Sequence, residues 1–477
     1  MGSLSSTLLG ASSALDAFQY ALGATQNNID NASTPGYAKQ TVALQAEPFD
    51  PALGLTGGVS HGTLVDSRDL LAESDVWQQA GAQGDASAQS SALSAVQNAV
   101  PISGGAGIPA ALNAFFSDVS AWSAAPSDNN ARQNVMVAAN SLAQSFQTTA
   151  AAVANASQLV SQDIGNTVGQ INRLTNQVAT LNANIQDGGQ HDEGMKAQLY
   201  SALETLSGLV NISVLQQPGG SVNVTLSGGA PLVLGSQPYA LTAGNAAGTG
   251  QSIDPLAPPD IEIHAADGSV ANGQITSGSL AGLLQVRNVT IPGLIGDASQ
   301  PGALNQLAAS LAGTVNQIVS QGVVSAGPPP VPAPTGLFTA LDSAHPTQAA
   351  STLAVDPAMT ASQLPAIDQN GVPNGVPLAL GALANSAEAD LGSASYTTFY
   401  GNAAATVGSQ LSQAQSNQTM TAQTLAQAQS MRQTQSGVSL DAEAINVLQF
   451  QAGYQAVAKM VNTLANLTQS LIDMIPG

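Results

Sequence analysis

The sequence predicts a mainly α protein with an inserted β part, elongated and multi-domain, whose two ends pair as a coiled coil. Three observations predict it. Apolar residues recur at three- and four-residue steps at both ends of the 477-residue chain, a further series of this kind runs from Val135 to Ile185, and after Val210 the period changes to two. At the amino end the series is Leu4, Leu8, Ala11, Leu15, Phe18, Leu22, Thr25 and Ile29. At the carboxyl end it is Val447, Phe450, Tyr454, Val457, Val461, Leu464, Thr468, Leu471 and Ile475. Both ends are therefore helices that need a helical partner, either each other or a neighbouring molecule.

Between the ends the pattern stays helical at first. Ile108, Leu112, Phe115, Val119 and Trp122 mark one helix, and the turn from Pro126 to Asn130 ends it, with Ser127 as the expected N-cap of the next. That next helix carries Val135, Ala139, Leu142, Phe146, Thr149, Val153, Ala156, Val160, Ile164, Thr167, Ile171, Leu174, Val178, Leu181 and Ile185. Two successive four-residue steps around Val160 read as a stutter. At 1.5 Å per residue such a run spans roughly 80 Å, which is why an elongated molecule is expected. Asp187-Gly188-Gly189 breaks it, and Leu199, Leu203, Leu206 and Val210 continue as a shorter helix running back. Ile212 and Val214, then Val222, Val224 and Leu226, alternate across the turn Gln217 to Gly220 and predict a hairpin. Ile261 and Ile263, followed by the turn Asp267-Gly268, predict more sheet.

A helix over Leu304, Leu307, Leu311, Val315 and Ile318 precedes a run from Pro328 to Pro334 that is extended or a linker. Turn signals at Asn370-Gly371 and Asn374-Gly375 follow, and from about Thr406 a weak seam of Val407, Leu411, Ala414, Thr421, Leu425 and Ala428 resumes the helix. The expected domains are discontinuous. Residues 1–66 with 438–477 form a terminal coiled-coil domain, and 67–210 with 276–326 and 400–437 a long-helix bundle. Residues 211–275 form a β-rich insert, and 327–399 a Pro/Gly-rich variable outer region.

Composition excludes several functions. Charged residues are 8% of the chain, and 29 acidic against 8 basic residues leave a net charge of -21, which disfavours nucleic acid and anionic membranes as partners. Zero cysteines exclude disulfides, thiolate catalysis and most structural zinc. The first basic residue is Lys39 and no apolar run approaches the roughly 18 residues of a spanning helix, so a cleaved general secretory signal is not expected. Gly58-Val59-Ser60-His61-Gly62 matches the nucleophile-elbow pattern of a Ser60 esterase, but it lies in an alternating segment, Val59, His61, Thr63, Val65, that reads as one continuous strand. His191, His264 and His345 fall in loop-like sequence, and no His-x-x-x-His pair or phosphate loop occurs. No enzyme activity, cofactor or metal is expected.

The segment after the first helix carries a resemblance. Asn27-Asn28-Ile29-Asp30-Asn31-Ala32-Ser33-Thr34-Pro35-Gly36-Tyr37 resembles the Asn-Asn-x-x-Asn-x-x-Thr-x-Gly-Tyr signature of bacterial flagellar axial proteins, the rod, hook and hook-associated family. The asparagines and Thr34 can satisfy helix-end backbone groups, Pro35 stops the helix and Gly36 allows the turn. At the far end Ser436 to Glu443, followed by Phe450-Gln451-Ala452-Gly453-Tyr454, resembles that family's C-terminal signature. The motif residues are Asn28, Asn31, Thr34, Gly36, Tyr37, Leu440, Glu443 and Gln451. Leu112-Asn113-Ala114-Phe115-Phe116, the stretch Pro126-Ser127-Asp128 with Arg132, and Gly278 to Leu284 with Arg287 are similar to the hook-filament junction branch, the FlgK-type proteins. Residues Pro328 to Leu391 match nothing in that branch.

The resemblance implies an uncleaved protein exported by the flagellar type III apparatus and located at the hook-filament junction. It implies as partners the hook protein, the second junction protein, further copies of the chain in a ring-like homo-oligomer, and an export chaperone on the C-terminal helix. A helix of about 26 residues is only marginally stable alone, so ordering of the ends is expected to accompany polymerisation. The expected assembly interface is Leu4, Leu8, Leu15, Phe18, Leu22 and Ile29 with Val447, Phe450, Tyr454, Val457, Val461, Leu464 and Leu471. A hook or distal rod protein would share both terminal motifs without needing the long helix, and a secreted coiled-coil adhesin stands as a further alternative.

Overall fold

The computed structural model describes residues 2–50, 55–101, 105–189, 192–246, 252–327 and 329–473. Its first half comprises α1 (Gly2–Asp30), the hairpin β1 (Gln40–Asp50) and β2 (Leu55–Asp66), then α2 (Leu70–Ala99), α3 (Gly107–Ala124), α4 (Asn129–Gln186) and α5 (Glu193–Leu209). Short strands β3 (Ile212–Gln216), β4 (Val222–Leu226), β5 (Pro231–Leu234), β6 (Gln237–Pro238), β7 (Thr242–Asn245) and β8 (Ile261–His264) follow. Beyond them lie α6 (Ser279–Gln285), α7 (Ile291–Ile295), α8 (Ala303–Ser320), β9 (Val323–Ser325), β10 (Val331–Pro332), α9 (Ala349–Thr352), α10 (Gly375–Ala382), α11 (Tyr396–Ser436) and α12 (Leu440–Asp473). The mainly α class with inserted strands is as the sequence predicts.

The chain forms two compact units, residues 1–80, 172–240 and 422–477 in the first and 81–171 and 241–421 in the second. The stretch 211–275 is divided between them, with β3 to β6 in the first unit and β7 and β8 in the second. Residues 327–399 lie in the second.

Apolar periodicity decides most of the helices. In α4 every residue of the expected series is buried except Leu174, which is half-buried. Its start differs from expectation: Asp128, rather than Ser127, caps it, with Oδ1 accepting from the Asn130 amide at 2.8 Å. A carboxylate at that position also interacts favourably with the helix dipole.

In the first unit β3, β4, β5 and β6 pair in that order, antiparallel, with Ile212 opposite Leu226. Val222, Val224 and Leu226 alternate inward as predicted. Asn182 on α4 is fully buried and holds this sheet. Its amide nitrogen donates to the carbonyls of Val222 and Gly235, both at 2.7 Å, while its oxygen accepts from the Val222 amide at 2.9 Å. A buried amide with donors and acceptor satisfied fixes register without an orphaned polar group.

In the second unit α6 passes through a π-helical turn, Val286–Thr290, into α7. Two consecutive side chains of that turn reach protein partners. Arg287 donates to Ser161 Oγ and to the Pro259 carbonyl, both at 2.9 Å, and burial pushes its pKa down. Asn288 both accepts from and donates to the backbone of Ile261 in β8. Gly282 marks a close approach of α6 to α2, since a Cβ there would lie 2.5 Å from the Asp85 carbonyl oxygen. Gly282→Ala must push the two helices apart, with an expected loss of about 1–3 kcal/mol readable as a lowered Tm.

Two elements begin elsewhere than predicted. α11 starts at Tyr396, not near Thr406, and buried Tyr396, Tyr400 and Ala404 extend the seam of Val407, Leu411 and Ala414 backwards. Asn370-Gly371 is a turn, with Gly371 at φ +82, but Asn374-Gly375 opens α10. There the Asn374 side chain donates to the Ser123 carbonyl at the end of α3. Among the described residues no helix is long and apolar enough to cross a membrane, and no group of three or more His, Asp or Glu could hold a metal ion.

Burial also sets a pH signature. It pushes Tyr200 and Tyr400 up to about 12, and does the same for Tyr37 with help from the charges of Glu193 and Glu443. Tyr396 is raised as well. The neutral phenols of Tyr37, Tyr200 and Tyr400 contribute stability fully below their ordinary value of 10, and lose it as pH rises through about 12. A spectrophotometric titration should therefore show these four tyrosines ionising late, together with unfolding.

Candidate functional site

The two sequence signatures meet in the first unit. α1 lies between the β1–β2 hairpin and α12. On the hairpin side Ser13 Oγ donates to the Val59 carbonyl, and the Tyr20 ring stacks on His61 with centroids 4.4 Å apart. On the α12 side Phe18 meets Phe450 at 6.4 Å between centroids, and Gln19 donates to the Tyr454 hydroxyl at 3.2 Å. Gly453 lets the helices close here, because a Cβ at that position would lie 2.8 Å from the Phe18 ring.

The buried apolar residues of α1 are Ala11, Ala14, Ala17, Ala21 and Ala24, joined by the polar Thr25 and Asn28, and not the Leu, Ile and Phe residues of the expected seam. Ala11 and Ala14 share one cavity lining with Val59 of the hairpin and Val457 of α12, so small side chains stand where both partners reach the helix. Leu15, Phe18, Leu22 and Ile29 are half-buried. So are Val447, Phe450, Tyr454, Val457, Val461 and Leu464, while Leu8 is exposed. The side chains of Leu4 and Leu471, and Ile475 altogether, lie outside the described residues. α12 buries Glu443 but exposes Ile445, Leu448, Met460 and Leu467 by half or more.

The Asn-rich signature becomes a polar clasp. Asn28 is 1% exposed, and its amide nitrogen donates to the Gln40 carbonyl at 2.8 Å and to Glu443 Oε2 at 3.1 Å. Its oxygen accepts from the Tyr37 hydroxyl at 3.0 Å and from the Gln40 amide at 2.9 Å. Glu443, also 1% exposed, is met in addition by Lys39 Nζ at 2.9 Å and by the Asn446 side-chain amide at 3.4 Å. The clasp thus ties α1, the start of β1 and the first turn of α12 together across 415 positions of sequence. Asn31 folds back on Asn27 and accepts from the exposed Thr34 hydroxyl, shaping the turn that Pro35 and Gly36 complete. Gly36 has φ +76, and a Cβ there would lie 2.4 Å from the Ala197 carbonyl on α5, so backbone and space both demand glycine. Leu440 and Gln451 are exposed.

Beside the clasp lies a buried charge network that the sequence did not reveal. Arg68 bridges Glu73 at 2.9 Å and Glu193, donates to the Gly36 carbonyl, and sits 3.9 Å over the Tyr200 ring. Arg432 on α11 joins Glu73 at 3.2 Å and Glu204 at 2.7 Å, and Lys196 joins Asp66 at 2.6 Å. Burial raises the Glu193 carboxyl above its ordinary range despite Arg68. For Asp66 burial acts in the same direction, but the bond and charge of Lys196 and the charge of Arg68 hold it below that range. Four of the eight basic residues of the chain, Lys39, Arg68, Lys196 and Arg432, are spent on these contacts. The arrangement fastens chain segments together and presents no nucleophile.

The Ser60 reading finds no support in the geometry. Ser60 sits inside β2 opposite Gln45, in regular antiparallel register, with no strand-to-helix turn to expose it. His61 contacts the Gly62 carbonyl, Asp16 and Tyr20, and His191 lies outside the described residues.

Residues 93–330 match the family model "Flagellar hook-associated protein FlgK helical domain", and 429–474 match "Flagellar basal body rod FlgEFG protein C-terminal". The chain is 28% identical over 296 residues to flagellar hook-associated protein 1 of Salmonella typhimurium, covering 60% of this chain and 52% of that protein. The same-named protein of Escherichia coli is 28% identical over 302 residues, covering 60% and 53%. That of Bacillus subtilis is 27% identical over 232 residues, covering 46% of each. The chain thus spans about half the length of the curated relatives it matches. The solved flagellar hook junction protein FlgK from Burkholderia pseudomallei is similar at 27% identity over 56% of this chain and 46% of that one, with a TM-score of 0.47.

Proposed function

Because the chain belongs to the FlgK family of flagellar hook-associated proteins, we propose that it is a structural, non-catalytic subunit that joins hook to filament in the bacterial flagellum. The observation that carries the reading is the bond between Asn28 and Glu443, which makes the two ends of the chain one structural element. Polymerisation then uses what this element leaves open. The half-buried seam between α1 and α12, and the exposed Ile445, Leu448, Met460 and Leu467, offer apolar surface to copies of the chain and to the hook protein and second junction protein on either side. Each such residue buried in the assembly contributes roughly 1.5–3 kcal/mol. Before assembly the same face of α12 suits an export chaperone, and passage through the flagellar type III apparatus requires the ends to unfold. A chain with only 8% charged residues limits repulsion between stacked copies.

The helical-domain match across 93–330, which includes α4, favours the junction over hook or distal rod. The rod-type match at 429–474 is what keeps that second reading in play. Deleting the gene and imaging the cells by electron microscopy, with flagellin assayed in the medium, separates the two. Hooks without filaments and shed flagellin are expected, and return of the gene should restore filaments. Missing hooks would move the assignment to rod or hook, and motile cells with intact filaments would overturn the flagellar reading.

A further inference from the structure

We propose that Asn370 is a site of spontaneous deamidation, selected by the fold from three Asn-Gly pairs that are chemically alike in sequence. The pairs are Asn272-Gly273, Asn370-Gly371 and Asn374-Gly375. Glycine after asparagine favours the reaction because no side chain shields its amide nitrogen, and the structure treats the three asparagines differently. Asn272 accepts from the Ile263 amide at 2.6 Å and donates to the Ile261 carbonyl at 2.9 Å, so its carboxamide is held in the β8 framework. Asn374 donates to the Ser123 carbonyl at 3.1 Å. Asn370 is exposed, and its carboxamide has no hydrogen-bond partner among the described residues. Gly371 beside it is exposed at φ +82, with open space around it. The bond from the Gly371 amide to the Asp368 carbonyl, 3.0 Å, is the one restraint on the attacking nitrogen, and it lies in a solvent-facing turn.

The Gly371 nitrogen attacks the side-chain carbonyl carbon of Asn370 and loses its proton. The new N–C bond closes a five-membered imide, the bond from that carbon to the side-chain nitrogen breaks, and ammonia leaves. Water then opens the ring at either carbonyl. The sum is asparagine plus water giving aspartate or isoaspartate plus ammonia, a gain of one mass unit and one negative charge. The product falls where it matters locally. The Asp368 carboxylate accepts from the amides of Asn370 and Val372, at 2.9 and 2.8 Å, and packs against Gly375 at the start of α10. Isoaspartate lengthens this turn by one backbone carbon and disturbs the seat of α10, whose Val376 and Leu380 are buried.

The test is to hold the full-length folded chain in warm, mildly alkaline buffer and to quantify aspartate and isoaspartate at the three positions by peptide mass spectrometry. A parallel sample in concentrated urea, and the variant Asn370→Gln, serve as controls. In the folded chain position 370 should convert at least about tenfold faster than 272 or 374, whereas in urea the three should converge, because only native structure protects the other two. Asn370→Gln should remove the fast product and leave the slow ones. Equal rates at all three positions in the folded chain, or faster conversion at 272 or 374, would overturn the proposal.

Discussion

Arg68→Met is expected to destabilise the first unit by about 3–5 kcal/mol, the cost of removing one partner from a buried ion network. The side chains of Glu73 and Glu193 are 2% and 0% exposed, and Arg68 is the partner they share. In its absence Glu193 faces only Lys196, at 3.6 Å, and Glu73 only Arg432. The two tryptophans make the measurement direct, because Trp77 lies in the first unit against Tyr200 and Trp122 lies in the core of the second. In a Trp122→Phe background, urea unfolding followed by Trp77 fluorescence reports on the first unit. The pH dependence has a definite sign. Glu193 is already raised in the folded chain, and losing Arg68 raises it further, so the folded variant binds a proton more tightly than the unfolded one. Its stability should therefore rise as pH falls from neutral toward the ordinary carboxylate range. A loss below about 1 kcal/mol would mean that the carboxylates reach water and that the network does not hold the unit together.

Asn28→Asp is the second large effect, expected to cost about 3 kcal/mol although it changes no shape. The substitution turns the amide that donates to Gln40 and Glu443 into a carboxylate oxygen facing the Glu443 carboxylate at 3.1 Å. Lys39 alone remains to offset two negative charges. Amide hydrogen exchange should rise first in α12, which is held otherwise by half-buried contacts, and less in α5 or the β3–β6 sheet. Glu443→Gln in the same chain supplies a donor to the new carboxylate and should restore most of the loss, giving a coupling energy of opposite sign to the single effects. If the double variant is as unstable as Asn28→Asp alone, the clasp is not the contact that joins the ends.

Long-range regularity is what made the fold legible. α4 could be read residue by residue because large apolar side chains recur through it, and α1, α3, α5, α8, α12, the β3–β4 hairpin and β8 followed from the same signal or its period-two counterpart. α2 was not legible, because its middle, from Ala80 to Ala92, uses alanine, glycine, serine and glutamine where α4 uses leucine and valine. For the same reason the Leu and Phe series of α1 stood out while the alanine line that is buried did not. Where α2 crosses α6 it is Gly282, on the other helix, that has to be small against the Asp85 backbone. Among the site residues, Asn28, Gly36, Tyr37 and Glu443 were visible as motif positions, but their convergence was not. The charge network was hidden further still. Only Glu193 and Lys196, three apart on one helix, could have been paired from sequence; Arg68, Glu73 and Arg432 meet through a tertiary arrangement that no local pattern encodes.

The most direct measurement is to place the chain on the organelle. A short epitope inserted at the exposed Asp267-Gly268 turn, in a strain whose swimming it leaves intact, can be labelled with gold and imaged on whole flagella. A single narrow band where hook meets filament is the predicted result. Label spread along the hook, confined to the cell envelope, or distributed over the cell surface away from flagella would contradict it.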